Sequence, residues 1–180
     1  KEDFLLPPER LAQFPELNQA PKRLKTRGIL SWARSKSLWI IFYFTACGFI
    51  ELVPWLSSGF DMERFGLLAK GSPRHSDAFI IAGYVTRKTL KRIIRIYDQM
   101  PEPKYVIAVG ACGLSGGVFH DCYNCLGGVD KVLPVDLYIP GCPPRPEAII
   151  DGVLKLLSNG KSSNTEETSE VAGAHTRNHA

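Results

Sequence analysis

Short apolar runs alternating with segments of helical periodicity are the feature that most narrows what this chain can fold into. Leu38–Phe44 (LWIIFYF), Ala78–Ala82 (AFIIA), Tyr105–Val109 (YVIAV) and Val135–Ile139 (VDLYI) have strand length and are rich in β-branched and aromatic residues. Gly83, Gly110 and Pro140-Gly141 close the last three. Between the second and third runs, Leu90, Ile93, Ile94 and Tyr97 recur at i, i+3, i+4 and i+7, which predicts a helix from Thr86 to Gln99. The segment Met100–Pro103 stops it, because proline cannot continue a helix. A closing helix is expected over Pro146–Leu157, burying Ile149, Ile150, Val153 and Leu157. Strands and helices alternating at this spacing imply an α/β domain with a mainly parallel sheet and helices on both faces.

Other classes fall away on simple grounds. A chain of 180 residues with 44% hydrophobic and 22% charged residues is neither fibrous nor wholly disordered. A net charge of +4 is too mild to argue for nucleic acid. The longest apolar run, Leu38–Ile50, ends at Glu51 after 13 residues, short of the roughly 20 a spanning helix requires. It also lies too deep in the chain and lacks the cleavage pattern for a secretory signal. Three zones follow. Residues 1–36 form a basic arm in which Lys22, Arg23, Lys25, Arg27, Arg34 and Lys36 follow Pro21 without an acid among them; it is either a solvated arm or one that docks on an acidic partner or anionic surface. Residues 37–157 form the α/β domain. Residues 158–180, rich in Ser, Thr, Asn, Gly and Glu, are expected to be a mobile polar tail.

Five cysteines, an odd number, do not read as a disulfide framework. Cys47 lies just beyond the first run, Cys112 beyond the third and Cys142 beyond the fourth, each beside Gly or Pro. In an open parallel sheet, ligands gather outside the carboxyl ends of the strands, so three thiols distant in sequence can converge there. A single cysteine is commonly just a small buried hydrophobe; three that all follow strand ends favour a metal. Thiolate ligation points to zinc or an iron–sulfur cluster. Structural zinc usually draws on two local pairs, and only Cys122-x-x-Cys125 is one here, so dispersed loops favour the cluster.

These segments also carry a resemblance. TACGFIEL (45–52), DMERFG (61–66), GSPRHSD (71–77), YDQMPEPKYVIAVGAC (97–112) and VDKVLPVDLYIPGCPPRPEAI (129–149) resemble the small cluster-carrying subunit of respiratory complex I (NADH:quinone oxidoreductase). They are also similar to the small subunit of membrane-bound [NiFe] hydrogenases and related ferredoxin-driven complexes. The resemblance covers residues 35–157. It implies a flavodoxin-like domain holding one [4Fe–4S] cluster against a large catalytic subunit, with a ferredoxin-like cluster subunit and a membrane-arm subunit as further partners. It implies an electron-transfer subunit of an oxidoreductase, without activity of its own, that serves quinone or sulfane sulfur reduction. A hydrogenase small subunit is the alternative. A structural bridging subunit with a degenerate cluster site is another, of a different class. The expected place is the cytoplasmic or matrix-equivalent face of an energy-conserving membrane, peripheral to it.

The chain departs from the pattern at one point. Complex I relatives carry adjacent cysteines where this chain has Cys47-Gly48; hydrogenase-like relatives carry a C-x-x-C pair, whose first member would fall at Phe44. Either way one thiol is missing from the first loop, while a [4Fe–4S] cluster normally takes four. Cys122 and Cys125, in the loop HDCYNCLGG, are spare, and one of them is expected to be the fourth ligand beside Cys47, Cys112 and Cys142. Glu51, Arg74 and His75 are the candidates for tuning the potential or coupling proton transfer. Gly110-x-x-Gly113-x-x-Gly116-Gly117 lacks dinucleotide-loop spacing, a phosphate-binding Lys and a helix signal, so nucleotide binding is not expected. A redox-active role for Cys122-x-x-Cys125 is the lesser reading, because such motifs usually open a helix.

Overall fold

A computed structural model describes residues 36–45 and 47–159; nearly all of the basic arm, and the polar tail from residue 160, lie outside these residues. The elements in chain order are β1 (Leu38–Phe44), α1 (Cys47–Leu56), β2 (Leu67–Ala69), β3 (Ala78–Ala82), α2 (Arg87–Gln99), β4 (Tyr105–Val109), α3 (Gly110–Ser115), β5 (Leu137–Ile139) and α4 (Pro146–Asn159). Short 3-10 turns at Met62–Phe65, Pro73–His75 and Gly117–Phe119 join them. Every strand pairs in parallel, in the order β2-β1-β3-β4-β5, which is the flavodoxin-like doubly wound order.

The two faces of the sheet separate by the alternation of side chains along each strand. Ala78, Ile80 and Ala82 of β3 pack with Leu52 and Trp55 of α1 and with Ile149 and Val153 of α4. Phe79 and Ile81 face the other way, against Leu90, Ile93, Ile94 and Tyr97 of α2. All five β3 residues are buried, which is why that run reads as continuous rather than alternating. Thr86 starts α2 by reciprocal capping: its hydroxyl accepts from the Thr89 amide at 3.3 Å, and the Thr89 hydroxyl accepts from the Thr86 amide at 3.1 Å.

The structure departs from the sequence reading in four places. Cys47 does not lie in a loop: it is the first residue of a ten-residue helix, α1, whose start is a tight turn in which the Gly48 amide donates to the Thr45 carbonyl at 3.1 Å. Pro54 sits within α1 near its end, and the Ser57 amide and hydroxyl both donate to its carbonyl just past the helix. The three-residue β2 was not anticipated. The strand expected from Val135 begins at Leu137, because the Asp136 carboxylate accepts from the Val106 amide at 2.9 Å while the Asp136 amide donates to the Val106 carbonyl. Finally, a helix does follow β4. Gly110, at φ 84°, makes the turn into α3 that a side chain would strain.

Candidate metal centre

The ends of four strands lie in one row. Phe44 pairs with Ala82, Ala82 with Val109, and Val109 with Ile139. Cys47 follows Phe44 by three residues, Cys112 follows Val109 by three, and Cys142 follows Ile139 by three. Equal offsets from a registered row bring the three thiols to the same edge. The two later exits are also tied directly, since the Ala111 amide donates to the Gly141 carbonyl at 2.7 Å.

These exits enclose one pocket. Cys47, Cys112 and Cys142 line it with Gly48, Gly83, Gly110 and Gly141, and an apolar wall of Val109, Ala111, Pro143, Pro144 and Ile149. Glu51, one turn along α1 from Cys47, supplies its only charged side chain among the described residues. The thiols sense one another electrostatically. Burial pushes the Cys112 thiol up, charge at Cys142 adds to this, and charge at Cys47 adds less; a hydrogen bond from the Val118 amide acts the other way. All five cysteines are free.

The donor set suits a sulfur-ligated redox group. It offers thiols, glycine backbone that permits close approach, and an apolar wall that limits water. Among the described residues no three His, Cys, Asp or Glu side chains gather as they would around one metal ion.

Position 48 holds no room for a thiol. A Cβ on Gly48 would lie 2.7 Å from the carbonyl carbon, oxygen and Cβ of Ala82. The helix therefore packs on β3 more closely than any side chain at this position allows.

Cys122 and Cys125 do not line the pocket. Their loop reaches the exit of β3, where Cys125 forms an antiparallel bridge with Thr86, the Leu126 amide donates to the Val85 carbonyl at 2.8 Å, and the Arg87 amide donates to Asn124. Tyr84 and Phe119 stack at 4.8 Å and hold the front of the loop to the same exit. The Cys125 amide donates to the Cys122 carbonyl at 3.2 Å, and each thiol shifts the other's proton affinity. The Asn124 amide, followed by the Cys125 side chain and the Cys125 amide, holds the Cys122 thiol below its usual range. Burial pushes the Cys125 thiol up, followed by the Cys122 side chain and by charge at Cys122 and Cys112. His120 and Asp121 pair at 3.2 Å, both exposed.

Arg74 and His75 occupy the turn that leads into the amino end of β3, away from the strand exits, and His75 contacts the Ser72 hydroxyl at 3.3 Å. Neither lines the pocket. Residues that the sequence reading passed over are Gly48 with its Ala82 contact, Gly83, and Thr86 as the anchor of the loop. Only strand register reveals them.

Comparison with known proteins follows the same lines. A family described as NADH ubiquinone oxidoreductase, 20 Kd subunit, matches residues 46–156. NAD(P)H-quinone oxidoreductase subunit K from the chloroplast of Mesostigma viride is 51% identical over 148 residues, which are 82% of this chain and 60% of that protein. The chain thus spans less than two thirds of that relative's length. Among solved structures, a chain of an archaeal respiratory membrane complex, the membrane-bound sulfane sulfur reductase, is 50% identical with a TM-score of 0.71, covering 76% of this chain and 77% of that one. A chain of an NAD+-reducing [NiFe]-hydrogenase, 18% identical with a TM-score of 0.51 over 68% of this chain and 92% of that one, shares the fold.

Proposed function

This chain belongs to the NADH ubiquinone oxidoreductase 20 kDa subunit family, and from that premise we propose that it is the iron–sulfur electron-transfer subunit of a complex I-like respiratory oxidoreductase. The observation that carries this reading is the convergence of Cys47, Cys112 and Cys142 at equal offsets beyond a registered row of strand ends. These three hold one [4Fe–4S] cluster, with the fourth thiolate drawn from the Cys122–Cys125 loop. When bound, such a cluster supplies a one-electron site whose potential follows its hydrogen bonding and exposure.

The chain's own groups shape that site. The thiols hold it, and the wall of Val109, Pro143, Pro144 and Ile149 keeps water from one side. Glu51 lines the same pocket, so proton coupling is assigned to it rather than to Arg74 or His75. Arg74 and His75 lie beyond the far end of β3, more than about 13 Å of strand from the pocket at roughly 3.3 Å per residue, a range at which exposed charges are largely screened. Electrons arrive from a ferredoxin-like cluster subunit and leave to a large catalytic subunit that reduces quinone or sulfane sulfur, the acceptors named for the relatives.

Docking is supported by the rim of the pocket. Phe44, Phe49, Ile50, Val53 and Leu56 are all exposed around α1, with the Phe44 and Phe49 rings 5.1 Å apart. Apolar groups gathered in this way suit burial against another subunit. No helix among the described residues is long and apolar enough to cross a membrane. The place that goes with this function is peripheral, on the cytoplasmic face, beside a membrane-arm subunit.

A second reading, a bridging subunit with a degenerate site, is favoured by Gly48 alone. Iron and acid-labile sulfide in the anaerobically purified chain separate the two. About four irons per chain are expected for a cluster of this type, with a low-temperature electron paramagnetic resonance signal on reduction that is lost in Cys112→Ser. Iron near zero in protein reconstituted under reducing conditions leaves only the bridging role.

A further inference from the structure

Of the four strand exits in the registered row, the one after β3 carries no cysteine of its own: Gly83, Tyr84, Val85 and Thr86 follow Ala82. The loop of residues 120–126 fills that gap from outside. Its bonds to Val85 and Arg87, and the bridge at Thr86, seat Cys125 at this exit. Charge at Cys122 and at Cys112, a member of the pocket, adds to burial in pushing the Cys125 thiol up. Gly48, packed against Ala82, leaves no place for a second thiol beside Cys47 at the exit of β1. Cys125 is therefore the loop cysteine positioned to complete the set.

Cys122 is placed differently. The Cys125 amide donates to the Cys122 carbonyl at 3.2 Å, so the two residues are the ends of one tight turn. Ends of such turns lie within about 7 Å at Cα, a span that overlaps the about 4.4–6.8 Å that disulfides use. Tyr123, at the tip, is 80% exposed, so the turn is open to small molecules.

We infer that Cys122 and Cys125 form a thiol–disulfide latch on the metal centre: as dithiols they leave Cys125 available as the fourth ligand, and as a disulfide they withhold it. This rests on the cluster-holding role of the pocket proposed above. The oxidant is a small-molecule disulfide of the glutathione type. The Cys122 thiolate attacks one of its sulfurs and releases one small thiol. The Cys125 thiolate then attacks Cys122 in the mixed disulfide and releases the second. Two protein thiols lose two electrons and two protons, and the small disulfide gains both as two thiols.

The test uses the full chain stripped of iron, together with Cys122→Ser and Cys125→Ser. Each is incubated with glutathione disulfide and freed of it, and the Cys122–Cys125 linkage is sought by peptide mass mapping. Each is then loaded with ferrous iron and sulfide without oxygen, with and without prior dithiothreitol, and scored by iron per chain and paramagnetic resonance. The latch predicts a mapped disulfide in the wild type, at least a threefold drop in iron uptake, and recovery with dithiothreitol. It predicts that Cys122→Ser loads equally with or without glutathione disulfide once dithiothreitol has removed any mixed disulfide, and that Cys125→Ser loads poorly throughout. Absence of the disulfide overturns it, as does normal loading of oxidised wild type or of Cys125→Ser. A wild type that maps the disulfide yet takes up no iron even when reduced overturns both the latch and the electron-transfer reading. Normal loading without a disulfide overturns the latch alone.

Discussion

Gly48 carries the clearest single-residue consequence. Restoring a thiol there does not restore a ligand, because the new Cβ would meet backbone and side-chain atoms of Ala82 at 2.7 Å. Overpacking of this kind costs about 1–3 kcal/mol. Gly48→Cys is therefore expected to lower the denaturant midpoint without raising iron per chain, and Ala82→Gly in the same protein is expected to recover part of the loss by removing one of the three contacts. The cysteines themselves were legible in the sequence because each follows a recognisable run. Their equal offset of three residues was not, since it depends on which residues of neighbouring strands pair. Glu51, at the end of an apolar run, lines the pocket, whereas Arg74 and His75 sit at the opposite, amino end of β3 and do not line it.

At the scale of elements, β3 and β4 have the bounds their apolar runs imply, and α2 begins one residue after its cap. The unread elements share a cause. No Gly or Pro separates β1 from α1, so Leu38–Ile50 looks like one run although the chain turns at Thr45, whose hydroxyl donates to the Tyr84 carbonyl at 3.0 Å. β2 has too few residues for a period to be visible. Thr86 links helix and site, for it caps α2 and bridges Cys125. Losing an N-cap side chain costs about 1 kcal/mol, so Thr86→Ala is expected to lower stability by that amount in urea unfolding. The backbone bridge needs no side chain, and iron content is expected to hold. Ile93, buried at 1% exposure on the inner face of α2, gives a contrasting case. Ile93→Ala is expected to cost about 2–5 kcal/mol through the cavity it leaves, read as a fall in thermal midpoint.

For the whole molecule, the apolar rim around α1 separates folding from assembly. Ile50 is 64% exposed and belongs to neither sheet-face core. Ile50→Glu is expected to leave the melting temperature of the isolated chain within about 2 °C, since exposed substitutions usually change stability by under 0.5 kcal/mol. Its yield in co-purification with the other subunits is expected to fall at least fivefold, because a buried carboxylate without a partner is costly at an interface. Equal yields for both forms, measured by quantitative mass spectrometry of the purified complex, remove this rim from the interface. The registered row of strand ends has a consequence for how such a site can change over time. Each exit is an equivalent socket, set at one height by the hydrogen-bond ladder beneath it, so a side chain lost at one socket is replaceable at another without rebuilding the scaffold. Lineages built on this sheet can trade ligands between loops while the geometry stays with the strands.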